Sequence, residues 1–377
     1  MKILIDGRFL VGSQTGIGKY LINALIAFAR NKKDWDFLIA LPVKIRIDER
    51  LTILDNIRVK VCPNYFLPNI KIFWFLTSFV RLLKKEQPDI VWYPGALGLP
   101  FKCGKYRELC TVHDIVFKEL AKSMTPLNKV AYNLFMNRTV NRADMIWANS
   151  NHTAQKIRQY YYKRKCKDIV VGMSVDREFY HQIDITDKEK SVLFKSLKVN
   201  ENKKVLLFVG TLEPRKNLKF LLKLMPYLAP KGYELIIVGG VGWKNSEIYQ
   251  IVNDCSFPSN SVHFAGYLSD LQLRMLYNIC DCYISTSLYE GFGMPQLEAI
   301  ACYAPVVTAN NTAMTEIVQG AGILVDGWEK QQWVEAIEFA IQQKQKLRET
   351  YPSKLAEYDW NVIIRSVIEY IEKRWET

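Results

Sequence analysis

Short apolar runs of strand length alternate with segments of helical periodicity along the whole chain, and that alternation leaves few architectures open. A repeated strand–helix unit returns each strand to the same sheet in the same direction, giving a parallel sheet with helices on its faces. Lys2–Ile5, Phe37–Leu41, Arg58–Val61, Ile90–Tyr93, Leu109–His113, Met145–Ala148 and Ile169–Val171 read as one series of strands. Helices are expected between them near 17–30, 70–86, 126–142 and 152–162. A polar stretch from Asp176 to Lys204, with a short helix around Lys188–Leu197, leads to a second series. Its strands are Val205–Val209, Leu235–Val238, Val262–Phe264, Cys282–Thr286, Val306–Thr308 and Ile323–Val325. Helices near 217–229, 246–255, 269–279, 295–303 and 329–344 separate them. No strand follows the last segment, Trp360 to Trp375, whose Val362, Ile363, Val367, Ile368 and Ile371 form an apolar face that must pack on something.

The fold class expected is therefore α/β, with two doubly wound domains at 1–176 and 177–359; 377 residues are too many for one ordinary core. Sheets of this kind bind ligands outside the carboxyl ends of their strands. With two such sheets facing each other, the expected site is the cleft between the domains.

Composition narrows the class of ligand. Hydrophobic residues at 49% and charged residues at 24% describe a soluble globular chain. No uncharged apolar run reaches the roughly 18 residues of a spanning helix. The N-terminus meets Asp6 too early for a signal-peptide core, so a cytoplasmic protein is expected. The eight cysteines show no CxxC spacing and read as reduced thiols, several of them core filler. Lys and Arg total 51 against 38 Asp and Glu, a net +13 that attracts phosphates, anionic lipid or nucleic acid. No nucleic-acid module signature is present, which leaves phosphates and membranes. Aromatic and basic residues interleave over Ile70–Glu86 and again over Tyr160–Lys165. They suggest peripheral contact with an anionic membrane, against the alternative of a buried helix with snorkelling basic ends.

The string Glu290-Gly291-Phe292-Gly293-Met294-Pro295-Gln296-Leu297-Glu298 carries the most chemistry. Gly291 and Gly293 in a strand-to-helix turn allow close backbone approach, and Pro295 suits a first helical turn. The free N–H groups at the start of such a helix can hold a diphosphate. Glu298, one turn in, is placed to accept hydrogen bonds from a ribose diol. Glu290 stays in the loop, near whatever the phosphates carry. A glycosidase pair is the competing reading. Eight residues of helix would separate the two acids by about 12 Å at roughly 1.5 Å per residue, beyond the roughly 5–9.5 Å that glycosidases use.

Other residues fall at strand ends. Arg215 and Lys216 follow the first strand of the second domain, where a guanidinium fork and an ammonium suit phosphate. His113-Asp114 ends a strand of the first domain. Gly12, Gly16 and Gly18 are spaced G-x3-G-x-G, a poor match to a dinucleotide fingerprint. Gly16 and Gly18 fit better a turn that lets backbone amides approach a donor or acceptor. No metal ligand set stands out, and Asp184 and Asp187 are too far apart for a D-x-D site.

Taken together, these motifs resemble the retaining glycosyltransferases of the GT-B fold, with the E-x7-E acid pair around GFGxP in the second of two Rossmann-like domains. The resemblance extends through Ile5-Asp6-Gly7-Arg8, Thr15–Tyr20, Thr111–Asp114, Ala148-Asn149-Ser150, Val209–Asn217 and the Trp360 helix. It implies that segment 360–377 packs back on the first domain and that the donor is a nucleotide-sugar. It implies that Lys216 holds the diphosphate, with Arg215, Gly291, Phe292, Gly293, Glu298, Gly16 and Gly18 as further donor-binding residues. His113 and Glu290 become the catalytic pair, His113 through hydrogen bonds to the transferred sugar. Two departures stand out: Thr211 replaces an arginine found in several relatives, and Ala313 and Thr315 depart from S-S-L-P-E, so residues 311–316 are given no role. The function expected is retaining, metal-independent hexose transfer, with GDP-mannose favoured as donor. The acceptor expected is a glycan or lipid-linked species in bacterial O-antigen, lipopolysaccharide or capsule synthesis. UDP-glucose, UDP-galactose and UDP-N-acetylglucosamine remain alternative donors, and a noncatalytic nucleotide-sugar-binding protein or an epimerase remains an alternative class.

Overall fold

The computed structural model describes residues 1–12, 16–63, 71–120, 132–242 and 246–375. Thr15 and the start of the helix expected over 126–142 lie outside them. The chain forms two compact units, Met1–Ser174 with Tyr358–Thr377, and Val175–Glu357.

The first unit is built on strands β1 (Lys2–Asp6), β2 (Asp36–Leu41), β3 (Ile57–Val61), β4 (Ile90–Tyr93), β5 (Arg107–Val112), β6 (Met145–Ala148) and β7 (Ile169–Val171). They form a 7-stranded sheet in the order β3-β2-β1-β4-β5-β6-β7, and every pairing is parallel. The second unit holds β8 (Lys204–Val209), β9 (Tyr233–Val238), β10 (Val262–Gly266), β11 (Cys282–Ser285), β12 (Val306–Ala309) and β13 (Ile323–Val325). Its 6-stranded sheet runs β10-β9-β8-β11-β12-β13 and is also parallel throughout. The strand order reverses between β1 and β4 in one sheet and between β8 and β11 in the other. At such a reversal neighbouring crossovers leave in opposite directions and open a crevice at the carboxyl ends.

The central strands are covered on both faces, which is why their sequences are continuous apolar runs rather than alternating ones. In the first unit the core on one face is aromatic. Trp92 and Trp147 stack with centroids 5.8 Å apart, and Tyr20 meets both edge-on. Buried Thr111 serves the polar ends: Trp92 Nε1 donates to its Oγ1 at 3.0 Å, and the Tyr20 hydroxyl lies 3.0 Å away. The helix Trp360–Trp375 belongs to this unit. Ile364, Val367 and Ile371 are buried, Trp360 packs 5.8 Å from Tyr20, and Lys32 binds Glu372 at 2.6 Å.

The helical stretch over 71–86 passes through a π-helical turn at Phe75–Phe79. Its Trp74, Phe75, Phe79, Leu82 and Leu83 join the core with Leu4, Leu38 and Val91. Arg81, Lys84 and Lys85 point outward. Thus most of the aromatic residues named for an interfacial helix lie inside the protein, leaving Ile72 and the cations exposed. The helix expected over 217–229 is broken into Leu218–Leu222 and Met225–Leu228. An unexpected helix, Lys344–Glu357, contains Pro352, which reads in sequence as a break. Buried Tyr351, donating to the Ala304 carbonyl at 2.9 Å, anchors that polar segment.

Thr111→Val keeps the shape of the side chain but takes an acceptor from a fully buried indole N–H and phenol. The expected loss is at least about 2 kcal/mol of unfolding free energy. Thr111→Ser should lose less, with both read from urea midpoints.

Candidate functional site

The chemistry of the second unit gathers at the β8/β11 reversal. After β8 the chain enters a 3-10 turn, Pro214–Lys216, which Asn217 ends in the left-handed region at φ 51°. That turn holds Arg215 and Lys216 beside the loop after β11. Lys216 is only 8% exposed, and its stem crosses Gly210 so closely that a Cβ there would lie 3.1 Å from the lysine Cε.

Both cations meet one carboxylate. Lys216 Nζ donates to Glu290 Oε1 at 2.5 Å, and Arg215 Nη1 donates to Oε2 at 2.7 Å. The Ser287 hydroxyl adds a bond to Oε1 at 2.7 Å. Arg215 also reaches Glu213 through Nε at 2.5 Å and the Tyr289 carbonyl through Nη1 at 3.2 Å. The two loops are further tied by Leu288 N to the Arg215 carbonyl at 2.7 Å and by the Thr286 hydroxyl to the Lys216 carbonyl at 3.1 Å.

Burial by itself would raise the carboxyl pKa of Glu290, but Lys216, Arg215 and the hydrogen bonds outweigh it and bring the group down to about 2. Burial pulls the Lys216 ammonium below its ordinary range, and Glu290 opposes that shift. Glu290 is therefore ionised, a counter-charge set between Lys216 and Arg215.

Glu290 precedes the helix, which runs Met294–Ala301 after Gly293 at φ +118°. The spacing used against a glycosidase assumed continuous helix between the acids and so needs correction. A glycosidase general acid needs a raised pKa, and the environment of Glu290 drives it the other way, which excludes Glu290 from that role. Gly291, Phe292 and Gly293 are buried in the turn. Glu298 is 4% exposed, and buried Tyr277 donates to its Oε2 at 2.8 Å.

The structure also gives partners to residues the sequence passed over. The hydroxyl of Thr312 accepts from Glu290 N at 3.2 Å, and Asn311 Nδ2 donates to the Ser287 carbonyl at 3.2 Å. Segment 311–316 is thus tied to the acid loop despite its departure from the expected motif. Tyr277 and Ser287 carried no signal in sequence, since each looks like an ordinary core or loop residue.

In the first unit, His113 follows β5, and its Nε2 lies 2.7 Å from the Pro94 carbonyl just after β4. A carbonyl only accepts, so Nε2 carries the proton and Nδ1 the lone pair of the neutral ring. Burial pushes the His113 pKa down to about 4, with the Pro94 bond opposing. The ring packs edge-on to Tyr20 at 4.8 Å. Its backbone carbonyl accepts from Asn149 Nδ2 at 2.6 Å. The Asp114 Oδ1 accepts from Val116 N at 3.1 Å. Gly16, exposed, opens the helix Gly16–Asn31, and Gly18 is buried within it. Arg8 forms a bidentate pair with buried Asp6 at 2.7–3.0 Å and stands 3.4 Å over the Phe75 ring. Among the described residues no cluster of three or more His, Cys, Asp or Glu is placed to hold a metal ion.

Comparison with known proteins identifies this arrangement. Residues 189–354 match the family described as glycosyl transferases group 1, and residues 15–178 match glycosyltransferase family 4. The chain thus carries a glycosyltransferase family 4 domain followed by a glycosyl transferases group 1 domain, with the GT-B fold. It is 38% identical over 123 residues to the O-antigen chain mannosyltransferase B of Escherichia coli, covering 32% of each chain. It is 26% identical over 264 residues to a serotype-specific mannosyltransferase of Escherichia coli, covering 64% of this chain and 30% of that one. The chain therefore spans about a third of the length of these relatives. With the O-antigen chain mannosyltransferase RfbU of Salmonella typhimurium it shares 25% identity over 93% of both chains. Among solved structures, Anabaena HepE in complex with UDP and glucose aligns with a TM-score of 0.71 at 22% identity, over 99% of this chain and 100% of that one. Sucrose-phosphate synthase from Thermosynechococcus elongatus aligns at 0.77 and 15% identity, over 99% and 98%.

A carboxyl whose pKa falls from 4.5 to about 2 on folding stabilises the fold above pH 4.5, and that contribution disappears as pH falls through 2. Glu290→Gln should therefore lower stability at pH 7 by about 3 kcal/mol, the scale for breaking a buried pair. The gap to the parent protein should narrow steadily below pH 4.5 in urea titrations. A gap independent of pH would contradict the pairing.

Proposed function

We propose that the protein transfers a hexose from a nucleoside diphosphate to a glycan or lipid-linked acceptor in bacterial O-antigen or related surface-polysaccharide synthesis. The observation that carries this reading is the convergence of Arg215, Lys216 and Glu290 at the β8/β11 reversal, with Glu298 one turn into the helix beside it. Two cations beside a helix start suit a leaving diphosphate, and a buried carboxylate on that helix suits a ribose diol. In this reading Gly291, Phe292 and Gly293 supply the turn against the donor. Glu290 positions the transferred sugar. Neutral His113 hydrogen-bonds the sugar rather than relaying a proton, in keeping with its lowered pKa, and Gly16 and Gly18 form the backbone approach on the first unit.

Mannose from GDP-mannose is the donor favoured, because the relatives compared above bear mannosyltransferase names. A UDP-sugar is the second reading, favoured by a structural neighbour in complex with UDP and glucose. Retention is the stereochemistry expected from the resemblance, and because no side chain among the described residues is placed as a secure covalent nucleophile, front-face attack assisted by the departing phosphate is preferred. Phosphate charge falls to Arg215, Lys216 and the helix start, without a metal.

A thermal-shift panel of nucleotide sugars decides the donor. GDP-mannose should raise the melting temperature most, and stabilisation by UDP-sugars alone would overturn that choice. With the selected donor and a lipid-linked acceptor extract, Lys216→Ala should cut turnover by about 100-fold or more, consistent with loss of about 2.7 kcal/mol or more of charge stabilisation, and Glu298→Ala should cut kcat/KM by about tenfold or more through a higher donor KM. Near-normal rates in both would break the assignment. Turnover should survive EDTA, and NMR of the product should show the anomeric configuration of the donor; inversion, or loss of activity restored by a divalent cation, would refute the mechanism.

A further inference from the structure

We infer that Tyr277 is a positioning residue for ribose recognition, holding Glu298 so that the carboxylate discriminates between ribo- and deoxyribonucleoside diphosphates. The inference rests on the reading of Glu298 as the ribose ligand and deepens it.

The helix Asp270–Ile279 starts from a capping box in which Ser269 and Gln272 bond each other's backbone, so its first turn is fixed. Leu273, Leu276 and Tyr277 form its buried stripe. Tyr277 is fully buried, with Tyr180 edge-on at 6.0 Å and Tyr283 at 5.9 Å on its ring. The ring therefore has little room to turn. Its hydroxyl reaches Glu298 Oε2 at 2.8 Å. Burial, with the charge of Glu298 adding to it, pushes the phenol well above its ordinary pKa, so it stays protonated and donates at any working pH.

A carboxylate on a glutamate stem has three rotatable bonds, and at 4% exposure it has little water to orient it. One charge-assisted bond from a rigid partner in a low-dielectric setting fixes both the rotamer and the plane of the carboxylate. A diol is recognised only when that plane is held, because two hydroxyls on adjacent carbons must reach acceptor lone pairs together. The phenol therefore does not touch the nucleotide; it sets the group that does.

The test is equilibrium binding of GDP, 2′-deoxy-GDP and 3′-deoxy-GDP to the full chain by calorimetry, with the UDP set instead if the donor panel selects uridine. The parent protein should bind the ribonucleotide about tenfold more tightly than the deoxy forms, the effect of one good hydrogen bond of about 1.4 kcal/mol. Tyr277→Phe should lose that preference, with GDP weakened about tenfold and the deoxy forms unchanged within twofold. The donor KM should rise while kcat stays within twofold, a split that general loosening of the fold would not give. Glu298→Gln provides a second route, collapsing the same ratio without touching the ring. Discrimination in the parent that persists undiminished in Tyr277→Phe overturns the role of Tyr277 and leaves Glu298 as the ribose ligand. No discrimination in the parent, with GDP bound, overturns the ribose reading itself and the inference with it.

Discussion

The second unit is organised around one buried carboxylate. Glu290 accepts from Lys216, Arg215 and Ser287, and its own amide is met by Thr312. These residues come from three loops, those after β8, β11 and β12, and the shared carboxylate joins them. Taking an ammonium and a carboxylate out of water costs several kcal/mol per ion, which only close, multiply bonded geometry offsets. Such a pair is poor value as a stabiliser alone. It makes sense where positive charge must be held ready, desolvated and aimed, for an anion that arrives later. The proposed diphosphate is such an anion, and Glu290 is the counter-ion that keeps Lys216 charged until then.

A parallel logic runs in the first unit with less charge. His113 is locked by the Pro94 carbonyl on one side, Tyr20 on another and Asn149 at its backbone. Tyr20 is in turn fixed by Thr111 and by Trp360 of the last helix. The C-terminal helix thus belongs to the packing that orients the histidine, although more than two hundred residues separate them in sequence. In both units a polar group at a strand end is set by neighbours that look, one by one, like ordinary core.

The parallel strands were legible in the sequence because burial on both faces leaves only apolar residues for them to use. Ile90–Tyr93 and Met145–Ala148, buried throughout, fall where the apolar runs place them. The helix Lys344–Glu357 was not legible, since Pro352 and its charged faces argue for a loop, while buried Tyr351 and Leu355 help tie it down. At the site, Arg215, Lys216, Glu290 and Glu298 stand out as residue types at strand ends. That the first three share one set of hydrogen bonds depends on β8 lying beside β11, a pairing no local pattern reveals. Tyr277 was invisible for a different reason: its place in a helical apolar stripe is what a core tyrosine would show, and only the position of its hydroxyl sets it apart.

The central claim is that the β8/β11 reversal is where an activated sugar leaves its diphosphate. A crystal structure of the full chain with a nucleoside diphosphate bound tests it most directly. The account predicts the terminal phosphate within hydrogen-bond reach of Lys216 Nζ and the Arg215 guanidinium, and the ribose on Glu298. A diphosphate seated elsewhere on the protein, with the Lys216–Glu290 pair untouched and no nucleotide atom near Glu298, would contradict it.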